Sequence, residues 1–291
     1  MSQRAVSVVI PCFNEEQAIA QTVEKVAAAL GGLDDFEILV IDDGSTDRSS
    51  EILEGFEGRL QSLRVIQHQR NAGYGAALKT GIRTARHELI AITDADGTYP
   101  HDRLRELIEM AADVDMVVGA RTGPNVRIPI IRRMPKRLLK SFAEWITGGE
   151  IPDLNSGMRV FRRSVIDRYT RILPNTFSFT TTITIAMLRD GADVRFVPID
   201  YAERVGSSKI KPFRDTLRFF QLILRTGMYF APLRVLAPVI AVLLGGFFVS
   251  LTYDLFVLRN LTDKTLLLLF AGTNAAILGL LADMIDKRSA R

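Results

Sequence analysis

Two acidic side chains carry the clearest chemistry in the sequence. Asp94 and Asp96 stand one residue apart in Thr93-Asp94-Ala95-Asp96-Gly97-Thr98-Tyr99-Pro100. The run before them, Glu88 to Thr93, is short and apolar and reads as a buried parallel strand. The pair therefore sits where a strand ends and a loop begins. In an open α/β sheet the ligand crevice lies along that edge. Neighbouring carboxylates offer hard oxygen ligands, which suit Mg2+ or Mn2+ shared with a substrate phosphate. A D-x-D triplet is short and common, so the competing account is a polar loop that caps the next helix. The rest of the chain decides between the two.

Positioning such a pair takes an ordered sheet, and the hydrophobic pattern supplies one. Val6 to Ile10, Phe36 to Ile41, Leu63 to Gln67, Leu89 to Thr93 and Asp115 to Gly119 read as strands. Helical patterns separate them at Gln17 to Leu30, Arg48 to Phe56, Ala76 to Arg86 and His101 to Ala112. This alternation predicts a doubly wound, mostly parallel α/β sheet. Downstream, Asn155 to Arg163 reads as a turn and short strand, Phe179 to Arg189 as a helix, and Val194 to Pro198 as a strand.

The 291 residues allow one large domain or two ordinary ones. The mean hydropathy of +0.14 is high for a purely soluble enzyme, and the apolar excess sits after about residue 230. The net charge is +4, a mild basic bias whose location matters more than its size, and nothing in it calls for nucleic acid. Cys12 is the single cysteine, so no internal disulfide can form. It reads as an inert packed thiol. Met1-Ser-Gln-Arg-Ala5 runs into a strand without an apolar leader, which predicts a cytosolic N-terminal part.

Between Gly119 and Ala143 no acidic residue occurs, while Arg121, Arg127, Arg132, Arg133, Lys136, Arg137 and Lys140 are basic. Apolar residues interleave with them, a pattern that fits an anionic membrane surface or a bound phosphate. The loop Glu203 to Ile210 places Arg204 and Lys209 around small residues, a weak phosphate-cradle signal. Phe213 to Ala231 mixes arginines with aromatics, as an interfacial helix does.

Leu236 to Leu258 and Leu266 to Ala282 are long and apolar enough to cross a bilayer, joined by a tight turn. A pair of buried core helices is the alternative. Asp254 is expected to snorkel to the outer interface and Asp283 to the inner one. Arg225, Arg234, Lys287, Arg288 and Arg291 outnumber Arg259 and Lys264, which places the large domain and the C-terminus in the cytosol. This predicts a multi-pass inner-membrane protein. The divisions expected are 1–211 catalytic, 212–234 interfacial, 235–286 membrane hairpin and 287–291 tail. Gly245-Gly246 would allow spans of two copies to pack.

Asn14, Glu15, Asp43, Asp94 and Asp96 fall along one sheet edge, as a nucleotide site requires. Neither G-x-G-x-x-G nor a P-loop is present, and Gly73, Gly75 and Gly81 read as packing glycines. A metal on Asp94 and Asp96 then neutralises a diphosphate without a P-loop, which is the task of a transferase with a nucleoside diphosphate leaving group. The histidines His68, His87 and His101 show no ligand spacing and are expected at the surface.

Val9-Ile-Pro-Cys-Phe-Asn-Glu-Glu16, Ile41-Asp-Asp-Gly-Ser-Thr-Asp47, Asn71-Ala-Gly-Tyr-Gly75, Asp94-Ala-Asp96, Asn155-Ser-Gly-Met-Arg159 and Arg204-Val-Gly-Ser-Ser-Lys209 together resemble family 2 glycosyltransferases. Within that family they resemble the polyprenyl-phosphate group, and the likeness runs from about Ala5 to Lys211. The resemblance implies a GT-A nucleotide-sugar fold with two C-terminal spans. It implies donor-nucleotide contacts at Pro11, Asn14, Glu15, Asp43, Lys79 and Asp94, and a Mg2+ or Mn2+ site at Asp94 and Asp96. It implies acceptor-phosphate contacts at Arg121, Arg132, Arg133, Ser156, Arg204 and Lys209, with Asp94, Asp96, Arg121 and Arg133 carrying catalysis. Thr98 departs from the pattern, since some relatives carry a metal-associated glutamine there.

The implied substrates are a UDP- or GDP-sugar and a polyprenyl phosphate. A lipid phosphate is already an anion at neutral pH and needs no general base. Its oxygen would attack the anomeric carbon in line and invert it, while metal and basic loop stabilise the departing diphosphate. Two rival readings are a transferase acting on a polysaccharide or other hydroxyl acceptor, and a non-catalytic sugar-nucleotide-binding membrane subunit. The first normally needs a catalytic carboxylate, and its processive members carry a Q-x-x-R-W type motif that is missing here.

Overall fold

The computed structural model describes residues 5–33, 35–56, 58–124, 133–202, 221, 224–225, 227–229 and 231–289, with backbone alone at 133–139 and 286–289. Its centre is a seven-stranded sheet. In chain order the strands are Val6–Cys12 (β1), Phe36–Asp42 (β2), Leu63–Gln67 (β3), Leu89–Ile92 (β4), Met116–Ala120 (β5), Arg159–Arg162 (β6) and Val194–Pro198 (β7). They lie side by side in the order β3-β2-β1-β4-β6-β5-β7. The expected strands are all present, and the pairing is mostly parallel. The exception is β6, which runs antiparallel to both β4 and β5.

Helices cover both faces. Ile19–Leu30 (α1), Ser49–Glu54 (α2) and Leu104–Met110 (α4) pack on one side, against Val6, Val8 and Ile10 of β1 and Ile38 and Val40 of β2. Tyr74–Thr84 (α3), Arg163–Ile166 (α6) and Phe179–Arg189 (α7) cover the other, against Val9, Leu39 and Ile41. The alternation of strand side chains between two cores follows from the two-residue period of a strand. Gly81 meets β1 so closely that a Cβ there would lie 2.2 Å from the Val9 side chain. The expected role of that glycine in packing is thus visible.

Helix Arg133–Thr147 (α5) links β5 to β6. Its end packs with Ile185, Ala231 and Val235 in a third, smaller cluster. Arg234 Nη1 donates to the carbonyl of Ile146 at 3.0 Å, satisfying one of the last carbonyls of that helix. The boundary expected after residue 211 lies outside the described residues.

The last two helices, Pro232–Tyr253 (α8) and Asp263–Ser289 (α9), form an antiparallel hairpin. Two segments, Pro232–Leu258 and Asp263–Ile285, are long and apolar enough to cross a membrane. Val242 is 74% and Phe256 80% exposed, so these are not the buried core helices weighed as the alternative. Asp254 departs from expectation, because it is fully buried and does not snorkel. Its Oδ2 accepts from Thr262 N (2.8 Å), Thr262 Oγ1 (2.7 Å) and Thr265 Oγ1 (2.7 Å), so it caps the start of α9 across the turn. Gly246 faces Leu268 within the hairpin.

Candidate active site

Parallel pairing brings the carboxyl ends of β1, β2 and β4 to one edge. Cys12 pairs with Asp42, and Asp43 N donates to Cys12 O at 2.8 Å. Thr93 N donates to Val9 O at 3.2 Å, so the acidic turn leaves the sheet beside β1. Pro11, Asn14, Glu15, Asp43, Asp94 and Asp96 therefore share an edge, as the strand pattern requires.

At the first turn, Asn14 adopts a positive φ of 55°, a conformation asparagine tolerates better than most residues. Its side-chain oxygen accepts from Thr46 N at 2.7 Å, and its backbone N–H donates to Ser45 Oγ. Glu15 N donates to Ser49 Oγ, so the two motif turns are tied together. Asp43 is buried, and both carboxylate oxygens accept protein bonds, from Ala72 N at 2.9 Å and Gly73 N at 2.8 Å. Asp43 therefore orders the Asn71 to Gly75 turn, whatever else it touches. Cys12 is buried, and burial together with Asp42 and Glu15 pushes its thiol up to about 12, which makes it inert as expected.

His101 does not lie at the surface, and His68 and His87 are half-buried. His68 sits 2.7 Å from Asp43 and 3.0 Å from Thr80 Oγ1. His101 is 2% exposed and lies 3.2 Å from Thr93 Oγ1 beneath the acidic turn. Burial, then the Lys25 charge, lowers its pKa to about 4, so it stays neutral at ordinary pH. Spacing without a partner says nothing about burial, which is why the surface expectation failed.

The acidic pair is held on three sides. Tyr74 OH donates to Asp94 Oδ1 at 2.8 Å. Burial, then the Asp94 charge, raises the Tyr74 pKa well above its ordinary value, so the phenol remains a donor. Gly157 backs the same carboxylate, where an added Cβ would lie 2.6 Å from both oxygens. Thr98 donates to Asp96 Oδ1 from its N–H at 3.2 Å and its hydroxyl at 2.6 Å. Thr98 thus orients the second aspartate.

Among the described residues no group of three or more His, Cys, Asp or Glu side chains converges as a metal cage. Two carboxylates still fit Mg2+ or Mn2+, ions that keep waters and share substrate phosphates rather than needing an all-protein shell.

A second wall stands beside this corner. Arg121 donates to Asp153 in a fork, Nε to Oδ2 at 2.7 Å and Nη2 to Oδ1 at 2.9 Å. Its guanidinium lies 5.1 Å from the centre of the Tyr201 ring. Burial opposes the Arg121 charge, but the Asp153 carboxylate outweighs it and keeps the group cationic. Tyr201 meets Tyr99 edge-on, and Tyr99 OH accepts from Gly157 N at 2.6 Å. Ala202 N donates to Thr98 O at 2.9 Å, which fixes the Tyr201 to Ala202 segment beside the acidic turn.

Asp153→Ala is expected to lower unfolding stability by about 2 kcal/mol, because it strands a half-buried guanidinium without its fork partner. Denaturant unfolding of the detergent-solubilised protein checks this, and a loss below about 1 kcal/mol contradicts it.

Other expected site residues already have protein partners. Ser156 is fully buried and donates its hydroxyl to Gly119 O at 2.5 Å, so it ties the turn before β6 to β5. Lys79 Nζ donates to Asn175 Oδ1 at 2.9 Å. Arg133 opens α5, with only its backbone described. Arg132, Arg204 and Lys209 lie outside the described residues. The residues missed by sequence reading are Tyr74, Gly157 and Asp153. The first two stand inside motifs already singled out, but nothing in a short motif says which member touches Asp94.

A profile described as glycosyl transferase family 2 matches residues 7–170. A protein of Pseudomonas syringae pv. syringae named undecaprenyl-phosphate 4-deoxy-4-formamido-L-arabinose transferase is 32% identical over 84% of this chain and 72% of its own length. A Pseudomonas fluorescens protein of the same name is 30% identical over 97% of this chain and 85% of its own. Among solved structures, glucosyl-3-phosphoglycerate synthase from Mycobacterium tuberculosis, bound to Mn2+, UDP and glucosyl-3-phosphoglycerate, superposes with a TM-score of 0.58 at 19% identity, covering 77% of this chain and 80% of that one. S. aureus TarS 1-349 in complex with UDP superposes with a TM-score of 0.56 at 19% identity, over 77% of this chain and 65% of that one. At such identities the structural likeness speaks for the GT-A fold.

Proposed function

The chain belongs to glycosyl transferase family 2, and from that premise we propose that it moves a sugar from a UDP- or GDP-sugar to undecaprenyl phosphate or a similar polyprenyl phosphate at the cytosolic membrane face. One observation carries this reading most: the acidic corner, held by Tyr74, Gly157 and Thr98, joins through Tyr99 and Tyr201 to the guanidinium of Arg121, itself forked on Asp153. The relatives' names supply the acceptor class, and two apolar helices supply its surroundings.

The mechanism follows from these positions. Asn14, Glu15 and Asp43 lie at the end of the edge suited to the nucleoside, and Asp94 and Asp96 lie where the diphosphate comes to rest. Mg2+ or Mn2+ bound there would neutralise the diphosphate as negative charge builds on it. An oxygen of the lipid phosphate attacks the anomeric carbon, the bond from that carbon to the diphosphate oxygen breaks, and the configuration inverts. No proton need be removed. Arg121, Arg133 and the basic loop hold the two anions close enough to react, against a repulsion that low local polarity would strengthen. Residues 1–211 form the catalytic unit, 212–234 the interfacial link, 235–286 the membrane hairpin and 287–291 a cytosolic tail.

The test is transfer of labelled sugar into the organic phase, with undecaprenyl phosphate, Mn2+ or Mg2+, and a panel of UDP- and GDP-sugars. Lipid-linked label supports the reading. No lipid product from any donor or metal overturns it. Arg133→Ala is expected to raise the acceptor KM about tenfold or more, as loss of a phosphate contact does, with the donor KM little changed. A raised donor KM with an unchanged acceptor KM contradicts that placement.

A further inference from the structure

Phe177 is a large apolar side chain with 70% of its surface exposed, outside the membrane helices. A single exposed apolar residue is ordinary. This one is not loosely placed. Its ring stacks on Tyr74 at 5.3 Å between centroids and 22° between planes. Tyr74 is the residue whose hydroxyl holds Asp94. The exposed ring is therefore one stacked layer from the acidic corner.

The segment carrying Phe177 is fastened to the start of α3. Gly75 N donates to Asn175 O at 3.0 Å, and Ala76 N reaches the same carbonyl at 3.3 Å. The approach is so close that a Cβ on Gly73 would lie 2.3 Å from Asn175 O, and one on Gly75 would lie 2.1 Å from Pro174 O. Two glycines are thus required for this loop to dock. The result is a rigid exposed aromatic face beside the diphosphate position, with Phe179 starting α7 just beyond it.

We infer that Phe177 is a substrate-contacting residue, whose outer face packs on the apolar face of the donor's sugar ring and so helps select the sugar. This rests on the sugar-transfer reading above. A sugar joined to a diphosphate at Asp94 must lie next to that corner, and its C–H face is the complement of an aromatic ring. The nucleoside is directed toward Asn14 and Asp43; because Asp43 also meets the turn before Tyr74, the affinity for the nucleoside diphosphate alone is what separates base from sugar at this ring. An isoprenoid tail is the competing partner for the same ring.

The experiment uses the full chain in detergent, with calorimetric binding of UDP, GDP, UDP-glucose, UDP-4-deoxy-4-formamido-L-arabinose and GDP-mannose in the presence of Mn2+, before any acceptor is added. For the sugar nucleotide that wild type prefers, Phe177→Ala is expected to lose about three- to tenfold in affinity. Binding of the matching nucleoside diphosphate stays within twofold, and Phe177→Trp recovers the sugar-dependent gain. With undecaprenyl phosphate added, the donor KM rises in Phe177→Ala and the acceptor KM does not.

An equal sugar-dependent gain in wild type and Phe177→Ala overturns the inference, as does a rise confined to the acceptor KM, which would assign the ring to the lipid. Wild type that gains nothing from the sugar also overturns it. The reading on which it rests fails differently: sugar nucleotides bind, yet no label enters lipid from any of them.

Discussion

Asp96→Asn is expected to slow transfer about a hundred- to a thousandfold while leaving the protein folded. The change is nearly isosteric and removes one negative charge. The side-chain oxygen that takes the Thr98 N–H and hydroxyl is still present in asparagine, so the turn keeps its internal bonds. The chemistry loses more. With no group of three or more such ligands among the described residues, each aspartate of the pair would supply a large share of the protein's ligand charge. The leaving diphosphate then gains its charge with less compensation. The measurements are single-turnover transfer into lipid and its dependence on Mn2+ concentration. The metal requirement should move to higher concentration, and high Mn2+ should recover part of the rate. Near-normal turnover at ordinary Mn2+, with an unshifted metal requirement, would remove Asp96 from the metal site.

The route from sequence to this corner was short because the strands advertise themselves. Val6 to Ile10, Phe36 to Ile41 and Leu89 to Ile92 are apolar, buried and parallel, so their ends had to align. Other parts were opaque for physical reasons. Strand β6 is four residues with an arginine at each end, and nothing in Arg159-Val-Phe-Arg162 signals an antiparallel insertion between β4 and β5. Arg159 is fully buried, bonded to Ser156 O and Thr184 Oγ1, where composition alone expects an exposed cation. Burial lowers its pKa to about 10, which still leaves it charged at neutral pH. Asp254 was misplaced for the opposite reason. An isolated acid near the end of an apolar run looks like an interfacial group, unless one knows that the chain turns back and brings Thr262 and Thr265 to it.

The same distinction separates the residues that the motifs revealed from those that support them. Asp94 was legible because its charge is part of the chemistry. Tyr74 was not, because its contribution is a hydrogen bond across a tertiary approach, from the first turn of α3 to the end of β4. That approach depends on where α3 packs, which a local pattern does not encode. Support of this kind decides how well a site works, since small displacements of a catalytic group cost large factors in rate.

Gly157→Ala tests that dependence directly and is expected to lower transfer about a hundredfold. The added methyl would stand 2.6 Å from both oxygens of Asp94, well inside van der Waals contact. Either Asp94 rotates away or the segment at 157 retreats. Retreat is opposed by the bond from Gly157 N to Tyr99 OH at 2.6 Å, and by the pairing of Met158 O with Gly119 N at 2.9 Å. Rotation of a single side chain, which gives up the Tyr74 bond, displaces less than a retreat of the backbone, so the carboxylate is the part that yields. Tyr74→Phe removes that bond without adding bulk and should cost less, about tenfold. Once alanine has displaced Asp94, deleting the hydroxyl should do little more. The double variant should therefore be about as slow as Gly157→Ala alone. Multiplying losses would mean that the two residues act on different groups. A Gly157→Ala enzyme with normal rate and normal Mn2+ dependence would show that Asp94 does not need the position it holds beside Gly157.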